Sequence, residues 1–316
     1  MVRLGNIVIS IIVFLFFSCK NNEVKITSKA IQKIEVTTPK FNKDSAYLYI
    51  QDQVNFGPRV PNSKAHTDCA SYLVNTLTRF GADVTTQSDV VQRFDGYSMN
   101  MINIIATFNK NAYKRILLCA HWDSRFIADN DSIDNDMPIL GANDGGSGVG
   151  VLLEIARQIQ IQPLSIGVDI VFFDVEDQGE PNGTMNPKPH SWCLGSQYWS
   201  KNPHVTNYFA DYGILLDMVG GKNARFTKEG VSRQFASRIV DKVWGLAASN
   251  GYANYFVSEK TPPIIDDHLY INKLIHIPTI NIIEHDANTH NRFNQHHHKH
   301  SILQLPLFNQ MKTVQN

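Results

Sequence analysis

Short apolar runs at residues 101–108, 116–119, 168–173, 214–218 and 277–283 have strand lengths and are rich in Ile, Val and Phe. Between them, residues 148–161 place Val149, Leu152, Leu153, Ile155, Ala156 and Ile159 at helical spacing, and residues 231–248 read the same way. Upstream, residues 44–55 and 63–80 are also helical in pattern, the second with Ser63 as N-cap and Gly81 as a stop. Strands joined by crossover helices return in the same direction. The pattern therefore predicts an α/β single domain, a mainly parallel central sheet flanked by helices. Of the 316 residues, 43% are hydrophobic and 18% charged, enough apolar material for a large core and incompatible with intrinsic disorder. Lys plus Arg balances Asp plus Glu at 29 each, without the basic excess that phosphate backbones select, so no nucleic-acid partner is expected.

In such sheets, ligands bind beyond the carboxyl ends of the strands. Here His121-Trp122-Asp123 follows the run 116–119, Asp174 to Asp177 follow 168–173, and Asp217 lies near the end of 214–218. Taken singly, these are ordinary: Asp123 could cap a turn and Asp217 could pair with a basic side chain. Repetition at the same end of successive strands points to a site. The segment Gly141-Ala142-Asn143-Asp144-Gly145-Gly146-Ser147-Gly148 then opens a helix. Glycine-rich helix starts often cradle phosphate. This one has no strand feeding it and no Gly-Lys-Ser/Thr after it, and Asp144 at its centre would repel an anion. Asp144 suits a cation, with glycines letting the backbone turn tightly beneath the carboxylate.

His121-x-Asp123, Gly-Ala-Asn-Asp144-Gly-Gly-Ser-Gly, Phe-Phe-Asp-Val-Glu176-Asp177 and Leu-Leu-Asp217, in that order and spacing, resemble the zinc-dependent aminopeptidase (M28-type) clan over residues 44–300. Within the clan, Ile264-Ile265-Asp266-Asp267-His268 and Phe56-Gly57-Pro58-Arg59-Val60-Pro61 look like the glutaminyl-peptide cyclotransferases, or glutaminyl cyclases. The resemblance implies a mixed central sheet and one zinc ion per chain. Its ligands would be Asp144, Asp177 as second acid of the Glu-Asp pair, and a C-terminal histidine, with a fourth position open to substrate. The clan usually carries Glu-Glu where this chain has Glu176-Asp177, so the shorter Asp177 needs its loop closer to the metal. In the tract from His290 through His296-His297-His298-Lys299-His300, His298 takes the ligand position by its place after Phe293, with His297 and His290 as alternatives. The plain reading of the tract is a solvated stretch that binds metals loosely.

The activity this implies is cyclisation of N-terminal glutamine on peptides and proteins to pyroglutamate, with release of ammonia. Zinc would polarise the γ-carboxamide, and Glu176 would carry a proton from the α-amine to the departing ammonia. Asp267, hydrogen-bonded to Asp217, would hold the leaving nitrogen. Trp192, after the Gly/Pro/Asn-rich segment 179–189, either walls the glutamine pocket or packs a helix at 192–200 onto the sheet; Trp122 reads as structural. Two alternatives stay open. His121, Asp217 and a bridging Asp144 could hold a second zinc, giving a di-zinc aminopeptidase in which Glu176 activates water. A periplasmic metal-binding lipoprotein using the His tract would leave Glu176, Asp217 and Asp267 without a task.

The first residues read as a targeting segment. Arg3, an apolar run at 7–17 broken only by Ser10, and then Phe17-Ser18-Cys19 resemble a bacterial lipoprotein signal. A membrane-spanning anchor would need about 20 apolar residues. The expected layout is a signal peptide at 1–18, a tether at 19–40 starting from lipidated Cys19, and a catalytic domain at 41–316, monomeric and facing the periplasm from the cell envelope. Beyond Cys19 the remaining cysteines are Cys69, Cys119 and Cys193, an odd set that argues against a disulfide framework, although one pair could form in an oxidising periplasm. Cys119, inside an apolar run, reads as a small buried residue. Residues 301–316 lack the Asp-Asn pair of the family, and Pro306 interrupts their apolar stretch. A truncated or altered reading frame, a missing closing helix and a partly uncovered sheet are the expectation there.

Overall fold

In the computed structural model, which describes residues 38–181, 183–286, 293 and 296–300, every one of the apolar runs becomes a strand of one sheet. Chain order is α1 (Lys43–Asn55), α2 (Lys64–Arg79), β1 (Asp83–Gln92), β2 (Ser98–Phe108), β3 (Arg115–His121), α3 (Gly146–Ile161), β4 (Gly167–Phe173), α4 (Leu194–Lys201), β5 (Tyr212–Asp217), β6 (Phe226–Lys228), α5 (Gly230–Ser249), β7 (Phe256–Lys260), α6 (Asp267–Tyr270) continued by a π-helical turn at Ile271–Ile275, and β8 (Thr279–Ile283). Apart from Thr38, the described residues belong to the unit Pro39–Asn316. The expectations for the signal and tether up to residue 37, for His290 and for residues 301–316 lie outside the described residues.

The sheet runs β1-β2-β4-β3-β5-β8. Strands β4, β3, β5 and β8 are parallel, whereas β2 lies antiparallel to β4 and β1 antiparallel to β2. This is the mixed, mainly parallel sheet expected. Strand β4 is buried at every position, as a strand covered by helices on both faces must be. Alternation sorts the side chains. Leu118 and Ala120 of β3 join Leu73 and Leu77 of α2, Leu152 and Leu153 of α3 and Trp244 of α5 in the core on one face. Leu117 and Cys119 point the other way, toward Trp199 of α4 and Ile271. Truncating fully buried Leu77 to Ala should cost about 2–5 kcal/mol.

Local chemistry sets the helix ends. The Ser63 hydroxyl accepts from the His66 amide at 3.1 Å, and Gly81 at φ +84 follows the last turn of α2. Helix α3 crosses β5 so closely that a Cβ on Gly148 would stand 2.2 Å from the Leu216 carbonyl oxygen. That contact brings the start of α3 over the carboxyl end of β5. Strand β1 escaped the sequence reading because it is an edge strand, largely exposed on both faces, with no apolar alternation to betray it. The short parallel pair β6–β7 carries no apolar run either. Cys69, Cys119 and Cys193 are free and buried, so none is in a disulfide. Among the described residues no helix is long and apolar enough to cross a membrane.

Candidate active site

The loop after β4 is bent by its own first residue. Asp174 accepts from the Ile102 amide at 2.6 Å and pairs with His66 Nε2 at 2.8 Å, while its other oxygen accepts from the Val175 amide at 2.8 Å. Val175 is thereby held at φ +55, a left-handed conformation that costs a β-branched residue about 1–3 kcal/mol. The bend delivers two acids to different partners. The amides of Glu176 and Asp177 donate to the Asp123 carboxylate at 3.1 and 3.2 Å, and Gln178 Nε2 adds a third bond at 3.0 Å. Burial alone would raise the Asp123 carboxyl, but His121 and these donors hold it below its ordinary value. Asp123 is the strut beneath the acid loop.

Asp144 arrives from the opposite side. Gly145 has φ +78, and a Cβ there would stand 2.7 Å from the Asp123 carbonyl oxygen and 2.9 Å from His121 Cε1, so only glycine fits. Buried Arg59 clamps the approach, donating to the carbonyls of Trp122, Leu140 and Gly141 at 2.9, 2.6 and 2.7 Å. His298 Nε2 lies 3.2 Å from Asp177 Oδ1 and 3.8 Å from Asp144 Oδ2. Asp144 Oδ2 and Asp177 Oδ2 are both buried without a hydrogen-bond partner. Unpaired buried carboxylate oxygens converging with an imidazole are costly alone and fit a divalent cation that takes N and O ligands. His298 thus lies against both Asp144 and Asp177, whereas the donor atoms that all fall within 4.8 Å of one another are those of Asp144, His297 and His298, with Asp177 outside that set. A second candidate metal set adjoins it: His121 Nε2 lies 3.1 Å from Asp144 Oδ1 and 3.2 Å from Asp217 Oδ1.

Behind His298, its Nδ1 is 2.9 Å from Asp129 Oδ1, which sets a carboxylate charge beside the imidazole. Arg125 grips Asp129 through Nε and Nη2 at 2.8 Å each and donates from Nη1 to the carbonyls of Asp177 and Gly179 at 3.1 and 3.2 Å. Its guanidinium lies 4.5 Å from the Trp192 ring centroid, and that ring in turn stacks on His298 at 5.9 Å.

Asp144, Glu176, Asp177, Asp217, Asp266 and His298 face a cavity of about 320 Å³, walled also by Trp192 and the apolar Ile264 and Phe293. Burial raises the Glu176 carboxyl well above its ordinary value. His121 opposes this, and nearby Asp266, Asp177 and Asp267 reinforce it. Glu176 Oε1 accepts from the Cys193 thiol at 3.1 Å. Asp266 is pushed up to about 7 by burial and by Asp217. Asp144 goes down instead, because His121, His297 and His298 outweigh its burial.

The neighbouring acids of the Asp266-Asp267 pair separate. Asp266 lines the cavity, while Asp267 is the first residue of α6 and is not on the wall. Neither Asp267 oxygen has a hydrogen-bond partner; the Ser196 hydroxyl near it donates to the Cys193 carbonyl at 3.1 Å. The expected Asp217–Asp267 hydrogen bond is therefore not formed, and Asp217 turns to His121. Asp266 is an extended N-cap residue and Asp267 is helical, so their side chains diverge.

The sequence profile of peptidase family M28 matches residues 103–313. The chain belongs to that family. It is similar to Tannerella forsythia glutaminyl cyclase, 50% identical, covering 83% of this chain and 91% of that one with a TM-score of 0.81. A Zn-dependent exopeptidase from Parabacteroides distasonis is comparably similar, 49% identical, covering 84% and 91% with a TM-score of 0.82. The glutaminyl-peptide cyclotransferase of Drosophila melanogaster is 26% identical over 204 residues, 61% of this chain; the chain spans 54% of that curated relative's length.

Sequence reasoning about this M28 chain missed Asp266, Cys193, Arg125 and Asp129 as members of the site. Arg125 and Asp129 stand four residues apart just after the His121-x-Asp123 motif, a spacing that an ion pair could have explained. Trp192 lies on the cavity wall, and its ring packs on the acid loop so tightly that a Cβ on Gly179 would meet it at 2.1 Å; it stands outside α4, which begins at Leu194. Trp122 is structural, fully buried and stacked on His66 at 4.4 Å.

Proposed function

We propose that the chain is a glutaminyl-peptide cyclotransferase. It closes the N-terminal glutamine of peptides and proteins to pyroglutamate with release of ammonia, using one zinc ion held by Asp144, Asp177 and His298. The observation that carries this reading is the raised pair Glu176 and Asp266 sharing one small cavity with the cation-ready set Asp144, Asp177 and His298. The half-identity to glutaminyl cyclases across most of the chain supports it.

Bound zinc supplies a Lewis acid for the γ-carboxamide oxygen. The α-amine nitrogen attacks Cδ of the same residue, so the task of the protein is largely orientation. Trp192, Ile264 and Phe293 press the glutamine side chain against the acids and exclude water. Glu176 accepts a proton from the amine as the C–N bond forms and returns it to the departing nitrogen, which leaves as ammonia. The Cys193 thiol holds one Glu176 oxygen, leaving the other for this transfer. Asp266, steadied by a hydrogen bond from Asn281 Nδ2 at 2.5 Å, takes over the place assigned from sequence to Asp267 and receives the leaving nitrogen.

A di-zinc aminopeptidase is the second reading, favoured by the His121, Asp144 and Asp217 set. End-point ammonia measured on a Gln-peptide, beside a chromogenic aminopeptidase substrate on the same zinc-loaded sample, separates the two. The proposal extends to the cell envelope: Ser18-Cys19 after an apolar run motivates lipidation of Cys19 and a monomer tethered at the periplasmic face. Cys19→Ala should release the chain from the membrane fraction, and retention there would contradict the lipidation.

A further inference from the structure

We propose that Glu176, Cys193 and Asp266 form a separate, inhibitory metal site, which takes a thiophilic divalent cation such as cadmium and stops the reaction by occupying its two acids. The inference rests on the roles proposed above for Glu176 and Asp266. One donor atom from each of the three residues lies within 4.8 Å of the others, and Cys193 Sγ stands 3.1 Å from Glu176 Oε1. Around one tetrahedral ion, with a metal–sulfur bond of about 2.3 Å and a metal–oxygen bond of about 2.0–2.2 Å, the sulfur–oxygen edge is about 3.6 Å. That edge falls between the two observed distances.

The backbone builds the site. The Cys193 amide donates to the Glu176 carbonyl and the Leu194 amide to the Val175 carbonyl, each at 3.0 Å, which laces the start of α4 to the acid loop. Cys193 has φ +59, a left-handed conformation uncommon outside glycine, and its side chain makes no cap bond to the helix it opens. The thiol goes to Glu176 instead. Asp266 is fixed from its own loop, by Asn281 Nδ2 on one oxygen and the Asp267 amide on the other. Asp267 points independently to a cation: it is fully buried, neither of its oxygens has a hydrogen-bond partner, and it lies close enough to act on both Glu176 and Cys193. A buried carboxylate without donors is costly, and a cation in the adjoining set offsets that cost. The sulfur distinguishes this set from the oxygen and imidazole donors around Asp144, and soft ligands select soft ions. Glu176 and Asp266 both line the cavity, which gives the ion its entry. On binding, the thiol proton passes to solvent and the sulfur bonds the metal. Glu176 then has no oxygen for the amine proton, and Asp266 none for the leaving nitrogen.

The test uses the full chain loaded with zinc and titrated with cadmium chloride. Binding is followed by the ultraviolet thiolate-to-cadmium charge-transfer band and, in parallel, by ammonia release from a Gln-peptide. The band should rise in step with inhibition while zinc per chain stays constant. Cys193→Ser keeps a hydroxyl donor for Glu176 but removes the sulfur: the band should vanish, and the cadmium concentration for half-inhibition, relative to that variant's own activity, should rise at least about tenfold. Asp266→Asn, read by the band alone, should weaken cadmium binding by about the same factor. No band in the parent, a band that persists in Cys193→Ser, zinc released in step with inhibition, or equal half-inhibition in parent and Cys193→Ser would overturn the inference and leave the proposed function standing. Absence of ammonia from the cadmium-free parent would overturn the proposed function, and the band would still decide the metal site.

Discussion

Asp144 and Glu176 line the same cavity, 6% and 9% exposed, and their carboxyls are pushed in opposite directions. Burial raises both. Three imidazoles surround Asp144 and overcome it, whereas Glu176 has one, with His121 Nδ1 4.0 Å away, against three further acids. The placement of histidines around the strand ends, more than depth, divides an acidic pocket into an ion-holding side and a proton-holding side.

Glu176→Gln attacks that division most directly. Turnover should fall about a hundred- to ten-thousand-fold, while zinc per chain stays at the parental value; loss of the metal together with activity would break the division. Asp266→Asn should follow with a loss of about a hundredfold. Asp267→Asn, which is off the cavity wall, should leave kcat near the parent, and the reverse order of these two would restore the assignment made from sequence. Asp129→Asn sharpens the ion-holding side: it keeps the shape of the carboxylate but removes the charge beside His298 Nδ1, and zinc affinity should drop about 10–100-fold, read by chelator competition.

A smaller effect separates structural from catalytic acids. Glu229 caps α5, accepting from Val231 and Ser232, and pairs with His268 Nε2 at 2.9 Å. Burial opposes it, but His268 and those amides hold its carboxyl down to about 2, below the ordinary 4.5. A depressed carboxyl contributes its stability above the unfolded value and loses it as pH falls through the folded one. The melting temperature should therefore decline between pH 4.5 and 2, and Glu229→Gln should flatten that decline; an unchanged slope would remove Glu229 from the account.

The parallel strands were readable because they are largely buried on both faces and so mostly apolar, and the acids after them stood out against that background. Strand β1 had no such contrast. Asp144 was readable because glycines flank it, and at Gly145 the backbone leaves no room for a Cβ. The choice between Asp266 and Asp267 was not: adjacent identical residues differ only in the backbone each adopts, and that depends on where α6 begins. Asp129 and Cys193 act through other side chains across the fold, on His298 and Glu176, and sequence carries no sign of such distant partners.

Product analysis of the zinc-loaded chain acting on a peptide with N-terminal glutamine tests the central claim most directly. Cyclisation releases one ammonia for each pyroglutamyl peptide formed and no free amino acid, and that is the predicted result. Free N-terminal amino acids, released equally from peptides lacking glutamine and without ammonia, would contradict it and identify a hydrolase.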